Sequence, residues 1–361
     1  MKKNIRDLVT AFNPAVLDND KPKQKVKKEI VNDMYYSEHP ENKEALKKII
    51  RQRLLDGITD FNDIDVSQIT DFSELFADQN ERIGNNIDIS LWVVSNGRNF
   101  SKMFKNCTDF NCDISNWDVS SGETFSGMFT NCSNAFNQDL SRWNVSNALD
   151  LSLMFQSCEQ FNGNVSTWKP IKCKNFNGTF ANCISFNQPL NEWDVSSGEN
   201  FSYMFWNCDS FNQPLDNWDV SHGMIFSGMF SNCQNFNQNI NSWNVGSAIR
   251  MSNMFSDCIL FNQPLDKWNV SGCYKFSNMF VNCRSFNQDL SMWKVMKVPS
   301  ENVKAQTEIV NYSSMFKGCI SLRQSFESWD LPSHIRFCKC ENMFDNCKKM
   351  NGMLPTWYQM P

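Results

Sequence analysis

Apolar and polar positions along most of this chain repeat with a period of 25 residues. Tryptophan marks the period best: neighbouring tryptophans are 25 or 26 residues apart, except for the last two intervals of 36 and 28. Eleven tryptophans mark the repeat in this way: Trp92, Trp117, Trp143, Trp168, Trp193, Trp218, Trp243, Trp268, Trp293, Trp329 and Trp357. A more degenerate unit precedes them around residue 61. Such a repeat predicts an array of stacked units and not a set of independent globular domains.

The spacing of apolar residues changes character within each unit. In FSKMFKNC at 100–107 they stand at i, i+3, i+4 and i+7, which predicts a short helix or 3₁₀ turn with one buried face. In ISNWDV at 114–119 they end in alternation, which is typical of a strand with one buried face. Pro189 directly precedes a leucine and cannot donate to a ladder, so the equivalent strand is expected over 190–195.

Neither predicted element could bury its apolar face alone, whereas stacked copies can. The sequence therefore predicts an α/β solenoid, a right-handed coil similar to leucine-rich repeats, with about eleven units of 25 residues. Its strands would form one parallel sheet that advances about 4.8 Å per unit. Because helices need about 10 Å of lateral room, we expect the sheet on the concave side.

Two polar or reactive residue types also recur once per unit. An asparagine follows a phenylalanine, and we expect its amide to satisfy backbone groups of the turn. These residues are Asn111, Asn137, Asn162, Asn187, Asn212, Asn237, Asn262 and Asn287. A cysteine occupies one position of the predicted helix, where a thiol packs as a small apolar residue. These residues are Cys107, Cys132, Cys158, Cys183, Cys208, Cys233, Cys258, Cys283, Cys319 and Cys347.

The high cysteine content, 15 residues, raises the alternatives of disulfides and of zinc. A secreted disulfide framework would pair its cysteines, and one cysteine per unit does not. Cys338, Cys340 and Cys347 cluster in the last unit and could bind zinc together with Cys319. The two-residue spacing of the first pair is tighter than that of the usual zinc knuckle. We therefore expect unpaired thiols, no metal site and no cofactor.

The chain divides into a helical N-terminal region and cap, 1–57, and the repeat solenoid, 58–361, with a loop insertion at 296–311. Residues 42–56 have helical apolar spacing and end at Gly57, so this helix should cover the first unit.

Two further helical stripes lie upstream, within 5–12 and 26–34. They either pack against the cap or dock a partner. At the other end the sequence stops inside a strand-like segment, and an unpaired edge there predicts weak self-association.

Charge is distributed unevenly along the chain, which carries −5 in total. Residues 1–57 hold 13 Lys and Arg against 9 Asp and Glu, which leaves −9 for the repeats. A negative array is a poor partner for phosphate backbones, so nucleic-acid binding is not expected. No apolar run approaches the roughly 20 residues that span a bilayer, and Arg6 and Asp7 interrupt a signal-peptide pattern. We expect a cytoplasmic protein without membrane insertion.

Catalytic signatures are scarce. The three histidines, His39, His222 and His334, are far apart, and no phosphate-binding, dinucleotide or nucleophile-elbow motif occurs. Acidic residues between Trp and Val, such as Asp118, should point outward and be solvated. The sequence predicts that this protein is not an enzyme.

The units MFKNCTDFNCDISNWDVS at 103–120 and MFWNCDSFNQPLDNWDVS at 204–221 resemble the BspA-like leucine-rich-repeat family, the 26-residue repeat of bacterial surface proteins. The resemblance covers about residues 61–358. It implies an adhesin or interaction protein without enzymatic activity, of a kind found on bacterial surfaces and in large DNA viruses and protists. The lead-in before residue 77 is similar to the helical cap of viral and protist members. We expect neither a lipoprotein signal nor a C-terminal anchor.

Two surfaces could bind a partner: the concave face and the insertion at 296–311. We prefer the concave face, since a repeated polar surface offers many weak contacts to a protein. For any single residue of that face, a solvated strand without a partner is the commoner interpretation. Its candidate binding residues are Asp118, Asn144, Glu192, Asp194, Asp219, Asn244 and Asn269. We expect an interaction scaffold for protein partners, host proteins if the chain is viral. The alternative is a cell-surface or virion adhesin of the BspA-like type.

Overall fold

The computed structural model describes residues 36–80, 86–295, 309–331 and 338–358. Within these ranges the regular elements are helix α1 (Lys43–Leu55), strands β1 (Val310–Asn311) and β2 (Cys338–Lys339), and the 3₁₀ helices η1 (Glu327–Trp329) and η2 (Lys348–Met350). The upstream stripes within 5–12 and 26–34, residues 296–308 of the insertion and the terminal residues 359–361 lie outside the described part of the chain.

Short coils, stacked one on the next, make up most of the molecule. Four alternate residues of segment 100–106 donate their backbone amides to carbonyls of the following coil at 2.8–2.9 Å. The same pattern recurs as far as Gly318, whose amide donates to the carbonyl of Asp345 (2.8 Å). Each coil is therefore tied directly to its neighbours. The tandem repeats fit a solenoid, as the sequence predicts.

The segment predicted as a short helix is instead a pair of β-turns. The amides of Met103 and Cys107 each donate to the carbonyl three residues earlier, at 3.2 and 3.1 Å. The third residue of each turn, Lys102 or Asn106, has a φ of 55° or 61°. A left-handed residue interrupts a right-handed helix, so the prediction of a helix or 3₁₀ turn in this segment of each unit is wrong. Two successive β-turns bring side chains back to the core at the same i, i+3, i+4 and i+7 spacing that a helix would give.

The predicted parallel strand is also misplaced. Residues 190–195 form no ladder, because the amide of Trp193 donates to the carbonyl of Leu190 (3.0 Å) and closes a turn. All but two of the isolated parallel bridges in the described ranges lie instead one residue before a turn pair, as where Asn99 pairs with Thr124. This column continues through Asp150, Asn175, Asn200, Ile225, Arg250 and Lys275 to Asn311 and Lys339. Apart from β1 and β2 it is a row of single bridges, not an extended sheet.

The tryptophans lie in one column, as the period requires. From Trp92 to Trp193 and again from Trp218 to Trp329, successive rings have centroids 5.6–6.5 Å apart and planes within 17°. Each indole N–H also donates to a carbonyl of the preceding coil, as Trp193 does to Val165 at 2.8 Å. A buried indole is thereby satisfied while its ring packs on its neighbours.

The cysteine ladder is buried, and its thiols do more than fill space. Each Sγ donates to the backbone carbonyl of a phenylalanine in the preceding coil at 2.8–3.2 Å, as Cys208 does to Phe180. The asparagines satisfy backbone groups as predicted, but of the next coil: Asn162 Oδ1 accepts the amide of Asn187 at 2.9 Å. They are exposed or half-buried, not enclosed in the core.

Helix α1 begins and ends close to its predicted bounds. Asn42 Oδ1 accepts the amide of Ala45 at 3.0 Å, an N-cap. Gly57, with φ +73°, follows the helix, and the amide of Ile58 returns to the carbonyl of Arg53 at 2.8 Å. This is the Schellman ending that glycine favours.

The helix packs on the first coil. Leu46 and Ile50 are buried and belong to the continuous core that runs through the coils. Arg53 Nη1 lies 2.5 Å from Asp63 Oδ1, and Lys43 Nζ lies 3.4 Å from Asp71 Oδ2.

Candidate binding surface

In the column from Trp117 to Trp329, the residues on either side of each tryptophan face away from the core. Trp193 is buried because the turn that starts at Leu190 directs it inward, whereas Glu192 and Asp194 are exposed. We call the two columns of such residues the Trp-flanking face. It comprises Asn116, Asp118, Arg142, Asn144, Thr167, Lys169, Glu192, Asp194, Asn217, Asp219, Ser242, Asn244, Lys267, Asn269, Met292, Lys294, Ser328 and Asp330.

Six of the seven predicted binding residues have a structural task that sequence reasoning missed. Each accepts, through Oδ1, the backbone amide two residues further on, at 2.9–3.2 Å. They are Asp118, Asn144, Asp194, Asp219, Asn244 and Asn269. Such Asx turns explain why only Asp or Asn stands at these six positions. The sequence signal was the Ser or Gly that follows each of them by two residues.

Contacts between coils make the face continuous. Lys169 Nζ lies 3.7 Å from Glu192 Oε2 in the next coil, and Arg142 donates to Asn116 Oδ1 at 2.7 Å. The side chains of Lys169 and Glu192 are 51% and 75% exposed, so this ion pair contributes little stability. The seven predicted residues thus form a row across successive coils and do not converge on one pocket.

Charge varies along the Trp-flanking face. The coils of Trp143 and Trp168 contribute basic residues to this face. In the coils of Trp193 and Trp218 all charged residues of the face are acidic, and the coils of Trp268 and Trp293 are basic again. In order these residues are Arg142 and Lys169; Glu192, Asp194 and Asp219; Lys267 and Lys294. Hydrogen bonds from the hydroxyl and amide of Ser221, with His222 nearby, lower the pKa of Asp219. The Asp219 carboxylate therefore stays ionised at neutral pH.

An exposed aromatic pair lies elsewhere on the coil and was not predicted. Tyr203 and Trp206 belong to one turn pair and are 44% and 41% exposed. The Tyr203 ring lies against Gly228 of the next coil, where any Cβ would clash with it. The sequence carried a signal for this feature, since Trp206 is the one tryptophan outside the period.

The residue types that bind metals are dispersed among the described side chains. They include no group of three or more His, Cys, Asp or Glu placed to hold a metal ion. His39 contacts Asp65 (3.3 Å) and His222 contacts the carbonyl of Ser196 (2.8 Å). No helix in the described ranges combines the length and apolar character needed to cross a membrane.

A profile of the family described as Mycoplasma protein of unknown function, DUF285, matches four overlapping stretches of the chain: 45–159, 125–231, 216–308 and 301–359. The chain belongs to the DUF285 family. No curated protein matches it, and no solved structure does. The DUF285 matches include every residue of the Trp-flanking face, which is therefore a feature of the repeats themselves and not of the N-terminal region.

Proposed function

We propose that this DUF285 protein is a non-enzymatic scaffold that binds a protein partner through the Trp-flanking face. The supporting observation is a row of exposed polar side chains, six of them anchored by their own turns, on coils that are tied together by backbone hydrogen bonds. A pre-ordered row loses little entropy on binding and offers many weak contacts to an extended surface. The turn uses Oδ1 of each Asp or Asn and leaves the other side-chain polar atom for a partner.

The charge pattern indicates the kind of partner. An acidic centre of Glu192, Asp194 and Asp219 lies between basic coils on both sides. A protein surface with a basic centre and acidic flanks would complement it, and electrostatic complementarity favours both encounter rate and specificity. Binding should accordingly weaken as ionic strength rises.

Neutralisation of the acidic centre tests the proposal without breaking the turns. In the variant Glu192→Gln, Asp194→Asn, Asp219→Asn each Oδ1 acceptor is retained, since Asn already fills this role at Asn144 and Asn244. We expect the partner captured by the intact protein to be lost or bound at least about tenfold more weakly, a change of about 1.4 kcal/mol. The melting temperature should stay unchanged.

Three acids off the face provide the matched control. Asp113, Asp139 and Asp289 are exposed and also accept an amide two residues on, at 2.8–3.0 Å. Their triple change to Asn removes the same charge from turns of the same type. Equal weakening by both triple variants would contradict the proposal. The charge reversals Asp194→Lys and Asp219→Lys should weaken binding of the partner even more than neutralisation does. The fold should accept a lysine there, because Lys169 already occupies the equivalent position in its own coil.

We also propose a reducing location such as the cytoplasm, of the producing cell or of a host. Each ladder thiol donates to a buried carbonyl, and a disulfide would remove that donor. The resemblance to BspA-like repeats supports the rival hypothesis of a surface or virion adhesin. Thiol counting on protein from its native source separates the two hypotheses. Fifteen reactive thiols after denaturation support the scaffold, whereas disulfides or glycans support the adhesin.

A further inference from the structure

Two cysteines outside the ladder lie side by side in the last unit. Cys338 Sγ and Cys340 Sγ are 3.3 Å apart, at the start of β2 and just after its end. Cys338 is buried and Cys340 is half-buried, so one sulfur can be reached from solvent and the other lies behind it. The ladder cysteines differ, because each is buried and engaged with a carbonyl of the preceding coil, as Cys208 is.

We propose that Cys338 and Cys340 form a redox-active dithiol that closes to a disulfide in the presence of a small-molecule disulfide such as glutathione disulfide. Residues i and i+2 of a strand lie about 6.6 Å apart at Cα, near the upper end of the disulfide range of about 4.4–6.8 Å. The two sulfurs need only approach from 3.3 Å to a bonding distance of about 2.05 Å.

The exchange proceeds in two displacements. The Cys340 thiolate attacks one sulfur of glutathione disulfide, the S–S bond of the reagent breaks, and the first glutathione leaves as a thiolate. The Cys338 thiolate then attacks the Cys340 sulfur and releases the second glutathione. The two protons lost by the protein thiols end on the two glutathione thiols, so one reagent disulfide is reduced for each protein disulfide formed.

Closure of this ring would affect the pairing of β1 with β2. The amide of Tyr312 donates to the carbonyl of Lys339 at 2.7 Å, and Lys339 lies between the two cysteines. A ring near the limit of disulfide geometry is strained, and strained disulfides are the easily reduced ones. The pair therefore acts as a reversible device that loosens the contact between the last two coils.

Peptide mapping by mass spectrometry of the full-length protein tests the proposal directly. The hydrogen bond with Cys338 and burial both raise the pKa of Cys340. Little thiolate forms near neutral pH, so the incubation is done at about pH 9.5, above the ordinary thiol value of about 8.5, and is continued for hours. We expect the peptide with both cysteines to lose two hydrogens and to carry no glutathione, while the Cys208 peptide stays unmodified. Dithiothreitol should restore the thiols. A peptide that is unchanged, or that carries stable glutathione, would overturn the proposal.

Two serine variants test the order of attack. Cys338→Ser removes the second nucleophile and should trap glutathione on Cys340, which also shows that the reagent reaches the site. Cys340→Ser should leave Cys338 unmodified because it is buried. Faster hydrogen exchange at the Tyr312 amide in the oxidised protein would support the loosened pairing. Failure of Cys338→Ser to trap glutathione would refute the role of Cys340 as first nucleophile.

Discussion

Aspartate and asparagine shape the backbone of each coil. In one unit the Oδ1 atoms of Asn99, Asp113 and Asp118 accept amides two residues further on, at 3.0, 3.0 and 3.1 Å. A short polar side chain that closes a turn is retained for that reason whether or not it meets a partner. Residue type alone therefore cannot identify the binding residues of this protein, and only the charge that differs between coils is informative.

Replacement of a ladder cysteine by alanine should weaken the stack. Cys208→Ala removes the bond to the carbonyl of Phe180 (2.9 Å) and leaves a small cavity, which should lower the free energy of unfolding by about 1–2 kcal/mol. Denaturant titration measures the change. Cys173→Ala is the control, since Cys173 is buried off the ladder and alanine stands at its equivalents, Ala148 and Ala248. Equal losses from the two variants would contradict a special role for the ladder thiol.

The close approach of neighbouring coils should make one glycine irreplaceable. A Cβ at Gly163 would clash with the carbonyl oxygen of Gln138 in the preceding coil, and a backbone atom cannot give way cheaply. We expect Gly163→Ala to destabilise the protein by about 2 kcal/mol or more in thermal or chemical unfolding. At Gly272 the nearest atom to an added Cβ is 3.5 Å away, so Gly272→Ala should change stability by less than about 0.5 kcal/mol. A similar loss at both sites would disprove the explanation.

The elements of this fold differ in how well the sequence predicts them. Helix α1 follows from its own signals, because an Asn42 cap and the Gly57 ending enclose a run with helical spacing. The turn pair at 100–107 has the same i, i+3, i+4, i+7 spacing, which therefore cannot distinguish it from a helix. The useful signal was Asn or Gly at the third turn position, as at Asn106 and Gly127, since these residues tolerate positive φ.

The candidate site was predictable only in part. Alternation around Trp193 correctly indicated that Glu192 and Asp194 face outward, because burial depends on which side of the chain the tryptophan takes. The Asx turn of Asp194 and the contact of Glu192 with Lys169 depend on backbone geometry and on the register between coils. Neither can be inferred from composition or period.

Acid should loosen the N-terminal cap before the rest of the stack. Burial raises the pKa of Asp63, but hydrogen bonds from Arg53 and Ser37 outweigh it, so the folded pKa lies below the ordinary value. A depressed pKa contributes stability above the unfolded value of about 3.9, and this contribution is lost as pH falls through the folded pKa. The protection factors of the α1 amides against hydrogen exchange should therefore fall below about pH 4, before those of the central coils. Asp63→Asn should already loosen α1 at pH 7 and reduce its acid response. If α1 and the central coils lost protection against hydrogen exchange at the same pH, this account would be contradicted.

At the scale of the whole molecule, the contacts of the described residues run along the stack. Backbone bonds, the tryptophan column and the cysteine ladder all join a coil to its immediate neighbours, 24 to 39 residues away in sequence. One core runs continuously from Leu46 in α1 to Met350 in the last unit. Stability in such arrays is approximately a sum over units and their interfaces. A unit should then be removable if the register of the remaining units is preserved.

Deletion of one complete unit tests this view of the molecule. Removal of residues 201–225 joins Asn200 to Phe226, the same pair of residue types that meets at Asn99 and Phe100, so every ladder can close again. We expect a folded protein with one cooperative transition and a melting temperature within about 5 °C of the parent, because a single unit and one interface are lost. Removal of only residues 201–213 is the control. It brings Pro214 next to Asn200, and proline lacks the amide that Phe201 donates to Ile225 (2.8 Å). The remaining half unit cannot align its tryptophan with the column, so this variant should unfold far below the parent or aggregate. If the longer deletion failed to fold, or if both deletions behaved alike, stability would have to depend on contacts beyond neighbouring coils.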